Sequence, residues 1–228
     1  MQKNTLDIDL SGKVAVVTGA GGVLCSDMAR ALARAGAWVA LLNRTAAKAQ
    51  VHAGAINAAG GVAGFMNSNT TLEACSSTGS VTATGTGDVS VGGVVGYISA
   101  GAKVTACYAT GNVTGTGTGT GSIYVGGVTG DNASGTLTAC YHAKGTVSGP
   151  DGATGGVTGR NYNALGDPVI TACYWKNDQD EGIGYNQAGT TVETTKVDGD
   201  WTDAVAKMNK ALSGTGYSYQ QGNPPKLN

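Results

Sequence analysis

The apolar positions of this chain follow three different rhythms. Between residues 13 and 66, short continuous apolar runs alternate with stretches of helical spacing. Lys13-Val14-Ala15-Val16-Val17-Thr18-Gly19 reads as a strand ending in a tight turn. Leu24, Met28, Ala31, Leu32 and Ala35 then recur at helical spacing, and Gly36 stops that helix. Trp38-Val39-Ala40-Leu41-Leu42-Asn43-Arg44 is a second strand, and Thr45 caps an Ala-rich second helix reaching about residue 57. Gly54 inside that helix costs roughly 1 kcal/mol relative to alanine. Gly60-Gly61 form a turn, and residues 62–66 a third short strand. The pattern is β-α-β-α-β.

From about residue 67 to 190 the rhythm changes to short β-rich words bounded by glycine. Ala74-Cys75-Ser76, Ala106-Cys107-Tyr108, Ala139-Cys140-Tyr141 and Ala172-Cys173-Tyr174 place cysteines at intervals of 32, 33 and 33 residues. A second phrase recurs between them: Gly92-Gly93-Val94-Val95-Gly96, Gly126-Gly127-Val128-Thr129-Gly130 and Gly155-Gly156-Val157-Thr158-Gly159. A fixed period of this length in β-type words predicts a β-solenoid, with the four cysteines in one inward column. Val, Thr and Cys alternate onto the inner face, and the glycines allow tight turns and close stacking. In residues 191–228, Trp201, Val205, Met208 and Leu212 share one face of a helix that Asp200 caps and Gly214 ends. Tyr217-Ser218-Tyr219 adds a strand before Pro224-Pro225. This tail is expected to cover an open end of the solenoid, whose strand edges are otherwise unpaired.

Composition narrows the chemistry. The 228 residues suffice for one or two domains, and a net charge of −1 makes no case for nucleic acid or an acidic membrane as partner. Apolar residues are 41% of the chain and aromatics 6%, so the core must rest on Val, Ala, Thr, Leu and Ile. No apolar stretch approaches the ~18 residues of a membrane span. No basic-then-apolar leader opens the chain, which taken alone reads as cytoplasmic. The five cysteines include no CxxC pair, and His52 and His142 stand at no ligand spacing, so buried thiols are expected in place of a metal site. The Gly-Gly-x-Gly-x-Asp pattern of calcium-binding β-repeats is absent. The Thr-Gly run at residues 114–121 suggests an ice- or sugar-binding hydroxyl row. The other repeats lack the same run, so a surface loop without a flat array is expected.

Leu10-Ser11-Gly12-Lys13-Val14-Ala15-Val16-Val17-Thr18-Gly19-Ala20-Gly21-Gly22-Val23-Leu24-Cys25 resembles the opening of a short-chain dehydrogenase/reductase (SDR). It is similar in particular to the sugar-acid branch that includes fructuronate and mannonate oxidoreductases. The resemblance covers residues 5–66 and implies the first half of a Rossmann fold. Gly19, Gly21, Gly22, Val23 and Leu24 would carry a pyrophosphate at a helix N-terminus. Val23 and Cys25 stand where the usual pattern has its second and third glycines, a variant this branch tolerates. Asn43 and Arg44 replace the acidic residue that would hold a ribose 2′-hydroxyl, which suits a 2′-phosphate and hence NADP, or else they simply leave a strand.

The SDR chemistry itself has no residues here. The family's Tyr-x-x-x-Lys pair, in which lysine lowers the tyrosine pKa for general acid/base work, occurs nowhere in the chain. Asn57-Ala58-Ala59-Gly60 resembles the family's Asn-Asn-Ala-Gly element but precedes the third strand. Two crossovers running the same way would put both helices on one face of the sheet. The uncovered face and the open edge of strand one would then call for a partner, either the solenoid or a second copy.

The solenoid words resemble the GLUG motif of bacterial surface and secreted proteins, on Gly126-Gly127-Val128-Thr129-Gly130-Asp131-Asn132 and Thr138-Ala139-Cys140-Tyr141. The tail resembles the segment found after such repeats in Bacteroidetes surface proteins. This resemblance implies exported cell-surface modules of adhesion type, with a surface protein or a glycan as ligand. The chain thus reads as a chimera. A truncated Rossmann half spans residues 1–66, a GLUG-type β-solenoid 67–190 and a helix-and-strand cap 191–228. The leading expectation is a non-catalytic module with a vestigial nucleotide-binding half; the alternative is an NADP-dependent SDR.

Overall fold

The computed structural model describes residues 14–18, 38–42, 58–188 and 192–228. The chain divides into two compact units, Met1–Ala55 and Ile56–Asn228. In the first unit, β1 (Val14–Thr18) and β2 (Trp38–Leu42) pair in parallel, from Val14 opposite Trp38 to Thr18 opposite Leu42. Both strands fall on the apolar runs read as strands, and the helices expected between and after them, at residues 20–36 and 45–57, lie outside the described residues.

The second unit is a β-solenoid of about four turns with a single short helix near its C-terminus among the described residues. The first three turns each visit four parallel sheets in the same order. Sheet I holds β3 (Ala58–Gly60), β8 (Val89–Gly92), β13 (Ile123–Gly126) and β18 (Thr154–Gly155). Sheet II holds β4 (Ala63–Met66), β9 (Val95–Ile98), β14 (Thr129–Ala133), β19 (Thr158–Tyr162) and β21 (Ile183–Asn186).

Sheet III holds the pairs β5 (Thr71–Glu73) with β6 (Ser76–Ser77), β10 (Lys103–Thr105) with β11 (Tyr108–Ala109), and β15 (Thr136–Thr138) with β16 (Tyr141–Ala143). The long β20 (Val169–Lys176) and β22 (Val192–Lys196) complete it. Sheet IV holds β7 (Val81–Gly85), β12 (Val113–Gly117) and β17 (Val147–Ser148).

The repeat spacing predicts the register. Ser76, Tyr108, Tyr141 and Tyr174 stack in one column, as do Gly60, Gly92, Gly126 and Gly155. Cys107, Cys140 and Cys173 are fully buried in one apolar cluster, and the half-buried Cys75 packs against it. Val81, Val113 and Val147 of sheet IV form a second cluster with Val89, Val91 and Val125 of sheet I. A further inward column is polar. Asn132 Nδ2 donates to Asn161 Oδ1 (3.0 Å), and Asn161 Nδ2 donates to the exposed Asn186 Oδ1 (3.2 Å), so the two buried amides are satisfied from turn to turn.

The alanine of each Ala-Cys word does something that composition does not announce. Ala74, Ala106, Ala139 and Ala172 all adopt left-handed backbone, with φ between 50° and 53°. Such a conformation costs an L-residue roughly 1–2 kcal/mol. It inserts a bulge: Val104 faces the core, Ala106 faces the other way, and Cys107 faces the core again. Each cysteine thiol then donates to the carbonyl two residues earlier, at 3.2–3.5 Å, across that bulge.

Three expectations are corrected. Residues 62–66 are not a third strand of the N-terminal half. Ala63–Met66 pairs with β9 and Ala58–Gly60 with β8. Gly60-Gly61-Val62-Ala63-Gly64 is the first copy of the Gly-Gly-Val phrase, in register with Gly92. The Thr-Gly run is not a featureless loop either. Thr82 and Thr84 stand opposite Thr114 and Thr116 in sheet IV, and Thr84 Oγ1 meets Thr116 Oγ1 at 2.8 Å. Beyond the strand, Gly119 and Gly121 lie against Thr86 and Gly87, too close for any Cβ.

The third correction concerns the tail. Helix α1 (Thr202–Ala211) lies on the flank of the stack, not across its end. Trp201, Val205, Met208 and Leu212 pack with Tyr141, Tyr174 and the column alanines Ala106, Ala139 and Ala172. The repeated tyrosine points outward from sheet III, so the apolar stripe of the helix is matched to that flank. The Asp200 carboxylate accepts the Thr202 N–H at 2.9 Å, and Gly214 follows the helix at φ 83°. Beyond it, β23 (Tyr219–Gln220) and β24 (Lys226–Leu227) form a hairpin. Tyr219 Oη donates to the Ala139 carbonyl at 3.0 Å and Tyr141 Oη to the Pro225 carbonyl at 2.5 Å.

Candidate functional site

The residues expected to hold a dinucleotide, Gly19, Gly21, Gly22, Val23, Leu24, Asn43 and Arg44, lie outside the described residues. What is described is their approach. Thr18 and Leu42 are paired neighbours at the C-terminal ends of parallel strands, so the chain leaves both strands at the same edge, immediately before Gly19 and Asn43. The tyrosine and lysine of SDR chemistry have no counterpart spacing in the sequence.

In the solenoid the reactive side chains are held in unreactive states. The hydrogen bond with Cys107 and burial push the Cys75 thiol up, the bond with Cys140 does the same to Cys107, and burial does so to Cys140. All four cysteines of the column are thiols. Thiolates are the nucleophiles and metal ligands, so the raised thiols of Cys75, Cys107 and Cys140 fit packing better than reaction. Among the described residues no group of three or more His, Cys, Asp or Glu side chains converges as a metal site.

His142 is fully buried in β16, and both ring nitrogens are occupied. Nε2 lies 2.9 Å from the Gly111 carbonyl and must donate to it; Nδ1 accepts from Asn177 Nδ2 at 2.9 Å. Burial pulls its pKa below the ordinary value, so the ring is neutral. It fits because the second glycine of each Gly-Gly-Val phrase leaves room across the core. A Cβ on Gly61, Gly93, Gly127 or Gly156 would meet Ser77, Ala109, His142 or Trp175 respectively. The opposed residue grows from serine to tryptophan along the stack while the glycine stays.

The most chemically dense surface is on sheets I and II. Phe65, Tyr97, Asp131, Arg160 and Tyr185 follow one another across sheet II, one per turn. The Arg160 guanidinium lies between the rings of Tyr124 and Tyr162, 4.1 and 4.0 Å from their centroids. It donates to both carboxylate oxygens of Asp131 and to Tyr124 Oη. Asp131 is 2% exposed, and burial pushes its carboxyl up against the pull of the guanidinium. Tyr97 and Tyr162 hydroxyls meet at 3.2 Å, and Phe65 stacks on Tyr97 at 5.2 Å. Three N–H donors of Arg160 are engaged with Asp131 and Tyr124 of the preceding turn, so the cluster clamps neighbouring turns together. Sequence reading missed it although Phe65, Tyr97, Asp131 and Arg160 each stand five residues after the first glycine of a Gly-Gly-Val phrase, because the residue type changes at every turn.

Two comparisons meet this geometry. The GLUG motif family model matches residues 87–114, which begin just ahead of β8 and run through β9, β10 and β11 into β12. In the N-terminal region the chain is similar to the "Uncharacterized oxidoreductase UxuB" of Bacillus subtilis (strain 168), 62% identical over 55 residues. That match covers 24% of this chain, and the chain spans only about one fifth of the relative's length, 20%. No solved structure matches. The two halves are similar to two different kinds of protein, a repeat module and part of an oxidoreductase, as a chimera requires.

Proposed function

We propose that this chain is a non-catalytic repeat module of the cell-surface or adhesion type, carrying a vestigial SDR-like nucleotide-binding half. A surface protein or a glycan is its partner on this reading, and the open edge of the N-terminal sheet offers a route to self-association. The observation that carries the reading is the state of the solenoid's polar groups. His142, Asp131, Arg160 and the cysteine column all hold turns together, and none is poised to react. The GLUG match supports a structural repeat.

The test is a cofactor and turnover assay on the full chain. NADPH fluorescence on mixing reads whether Gly19, Gly21, Gly22, Val23, Leu24, Asn43 and Arg44 still bind a dinucleotide. Oxidation of sugar acids, followed through NADPH or NADH, is expected to be absent because the Tyr-x-x-x-Lys pair is absent. Turnover that survives purification to homogeneity and is abolished by Gly19→Asp would establish the oxidoreductase reading instead.

A further inference from the structure

We propose that His142 and Asn177 form a proton-operated latch on the turn that closes sheet IV at its last strand. The turn is residues 177–179. Its Asp178 carboxylate accepts the Val147 N–H at 2.9 Å, and its Gln179 Nε2 donates to the Val147 carbonyl at 2.6 Å. Two side chains therefore satisfy β17 where a further strand would otherwise pair. The turn is tied down by Trp175 Nε1, which donates to the Gln179 carbonyl at 3.0 Å, and by Asn177.

Asn177 has no freedom to reverse its amide. Its Nδ2 donates to His142 Nδ1 (2.9 Å) and to the Gly156 carbonyl (3.2 Å), while its Oδ1 accepts the Gln179 N–H (2.9 Å). Two of those partners fix the orientation independently: a carbonyl only accepts and an N–H only donates. The other ring nitrogen is equally fixed, because Nε2 faces the Gly111 carbonyl. A proton arriving on the imidazole can therefore go only to Nδ1, where it would point at the hydrogens of Asn177. Reversing the amide to receive it would set oxygen against the Gly156 oxygen and hydrogens against the Gln179 N–H. Protonation thus costs the bonds that hold the turn, and the turn is what covers Val147.

The surroundings oppose the proton without forbidding it. Ala109, Gly127, Gly156 and Trp175 bring no charge to the ring. Asp178 is the carboxylate whose field favours the imidazolium. Lys144 is exposed, and the Lys176 ammonium is held by the Gly199 carbonyl. Burial is the largest opposing influence, and releasing the turn is what would relieve it.

The experiment is amide hydrogen exchange by NMR on the full chain, from about pH 8 to about pH 5, expressed as protection relative to intrinsic rates. Protection of the Val147 N–H is expected to fall by roughly tenfold or more on acidification. Val113 N–H, one turn away in the same sheet and bonded to the Thr146 carbonyl at 2.8 Å, is expected to hold its protection. His142→Gln should abolish the difference. Asn177→Asp supplies an acceptor for Nδ1–H and should move the midpoint upward by about one pH unit or more. Val147 tracking Val113 at every pH overturns the latch, as does an unchanged response in His142→Gln. If that variant does not fold, an unmoved midpoint in Asn177→Asp overturns it.

Discussion

Replacing Gly93 by alanine tests the packing logic of the whole stack. A Cβ there would lie 2.1 Å from the Gly127 carbonyl oxygen of the next turn and 2.7 Å from Ala109 Cβ. Neither is the end of a flexible side chain, so the turns themselves must part. The bonds that would stretch are Gly93 N–H to the Gly126 carbonyl (3.2 Å) and the Val94 and Val95 N–H groups to the Val128 carbonyl (2.8 and 3.0 Å). At about 0.5–1.5 kcal/mol each, three weakened bonds forfeit up to roughly 1.5–4.5 kcal/mol, and overpacking adds about 1–3. A loss of about 3–6 kcal/mol is large against a typical stability of about 5–15. With a urea slope near 2 kcal/mol/M, the midpoint should fall by about 1.5–3 M. Gly79→Ala is the control, since nothing lies within 4 Å of its Cβ position. It should leave the midpoint unchanged or raise it slightly, by about 0.4–1 kcal/mol of stability. The assay is urea unfolding of both variants by circular dichroism, with equal slopes required for the comparison. Two midpoints within about 0.3 M of each other would refute the argument, because chain entropy alone would then account for both glycines.

Three further outcomes are expected. Thr129 Oγ1 is fully buried without a partner, at the column position that Val95 fills one turn earlier, so Thr129→Val should raise stability by about 1 kcal/mol; a decrease in the urea midpoint would show the hydroxyl is satisfied. Ala74 and Ala139 share a φ near 50°, but only Ala139 is buried, so Ala74→Gly should stabilise by up to about 1 kcal/mol and Ala139→Gly should gain less for its lost methyl contact; equal effects in calorimetry would contradict this. For pH, burial holds His142 below its ordinary 6.5, so the unfolded chain takes up the proton first. Its contribution is fully present above pH 6.5 and is lost as pH falls toward the folded value, at no more than about 1.4 kcal/mol per unit. The urea midpoint followed across that window should flatten in His142→Gln, and an unflattened slope would place the titration elsewhere.

The stacking register is readable because Cys and Gly-Gly-Val recur at nearly constant spacing, and a parallel stack converts constant spacing directly into alignment. Residues 60–64 carry the same signal in a form that points two ways. A short apolar run after a glycine turn fits a Rossmann strand as well as a solenoid strand, and only the distance from Gly60 to Gly92 separates the two. The left-handed alanines are not legible, since alanine carries no sign of positive φ and glycine would be expected there. The placement of α1 is not legible either. Its apolar face is plain, but which flank it covers depends on Tyr141 and Tyr174 pointing outward, a consequence of the bulge at the alanines. In the Arg160 clamp, Asp131 and Arg160 hold the same place after successive Gly-Gly-Val phrases, so their alignment is legible, while Tyr124, 36 residues before Arg160, comes from a different sheet and is not.

The C-terminal strap also sets the order in which this molecule can be made. A simple solenoid contacts only neighbouring turns, so it can grow one turn at a time as the chain emerges from the ribosome. Here the segment after the repeats reaches back across the stack: α1 seals the flank at Tyr141 and Tyr174, and the Tyr217 hydroxyl donates to Glu73, 144 residues earlier, beside the first turn. Before that segment is synthesised, the flank of sheet III is an apolar stripe open to water along several turns. The nascent chain therefore passes through a sticky, half-sealed intermediate, and the segment that follows the repeats acts as the closure that ends the exposure.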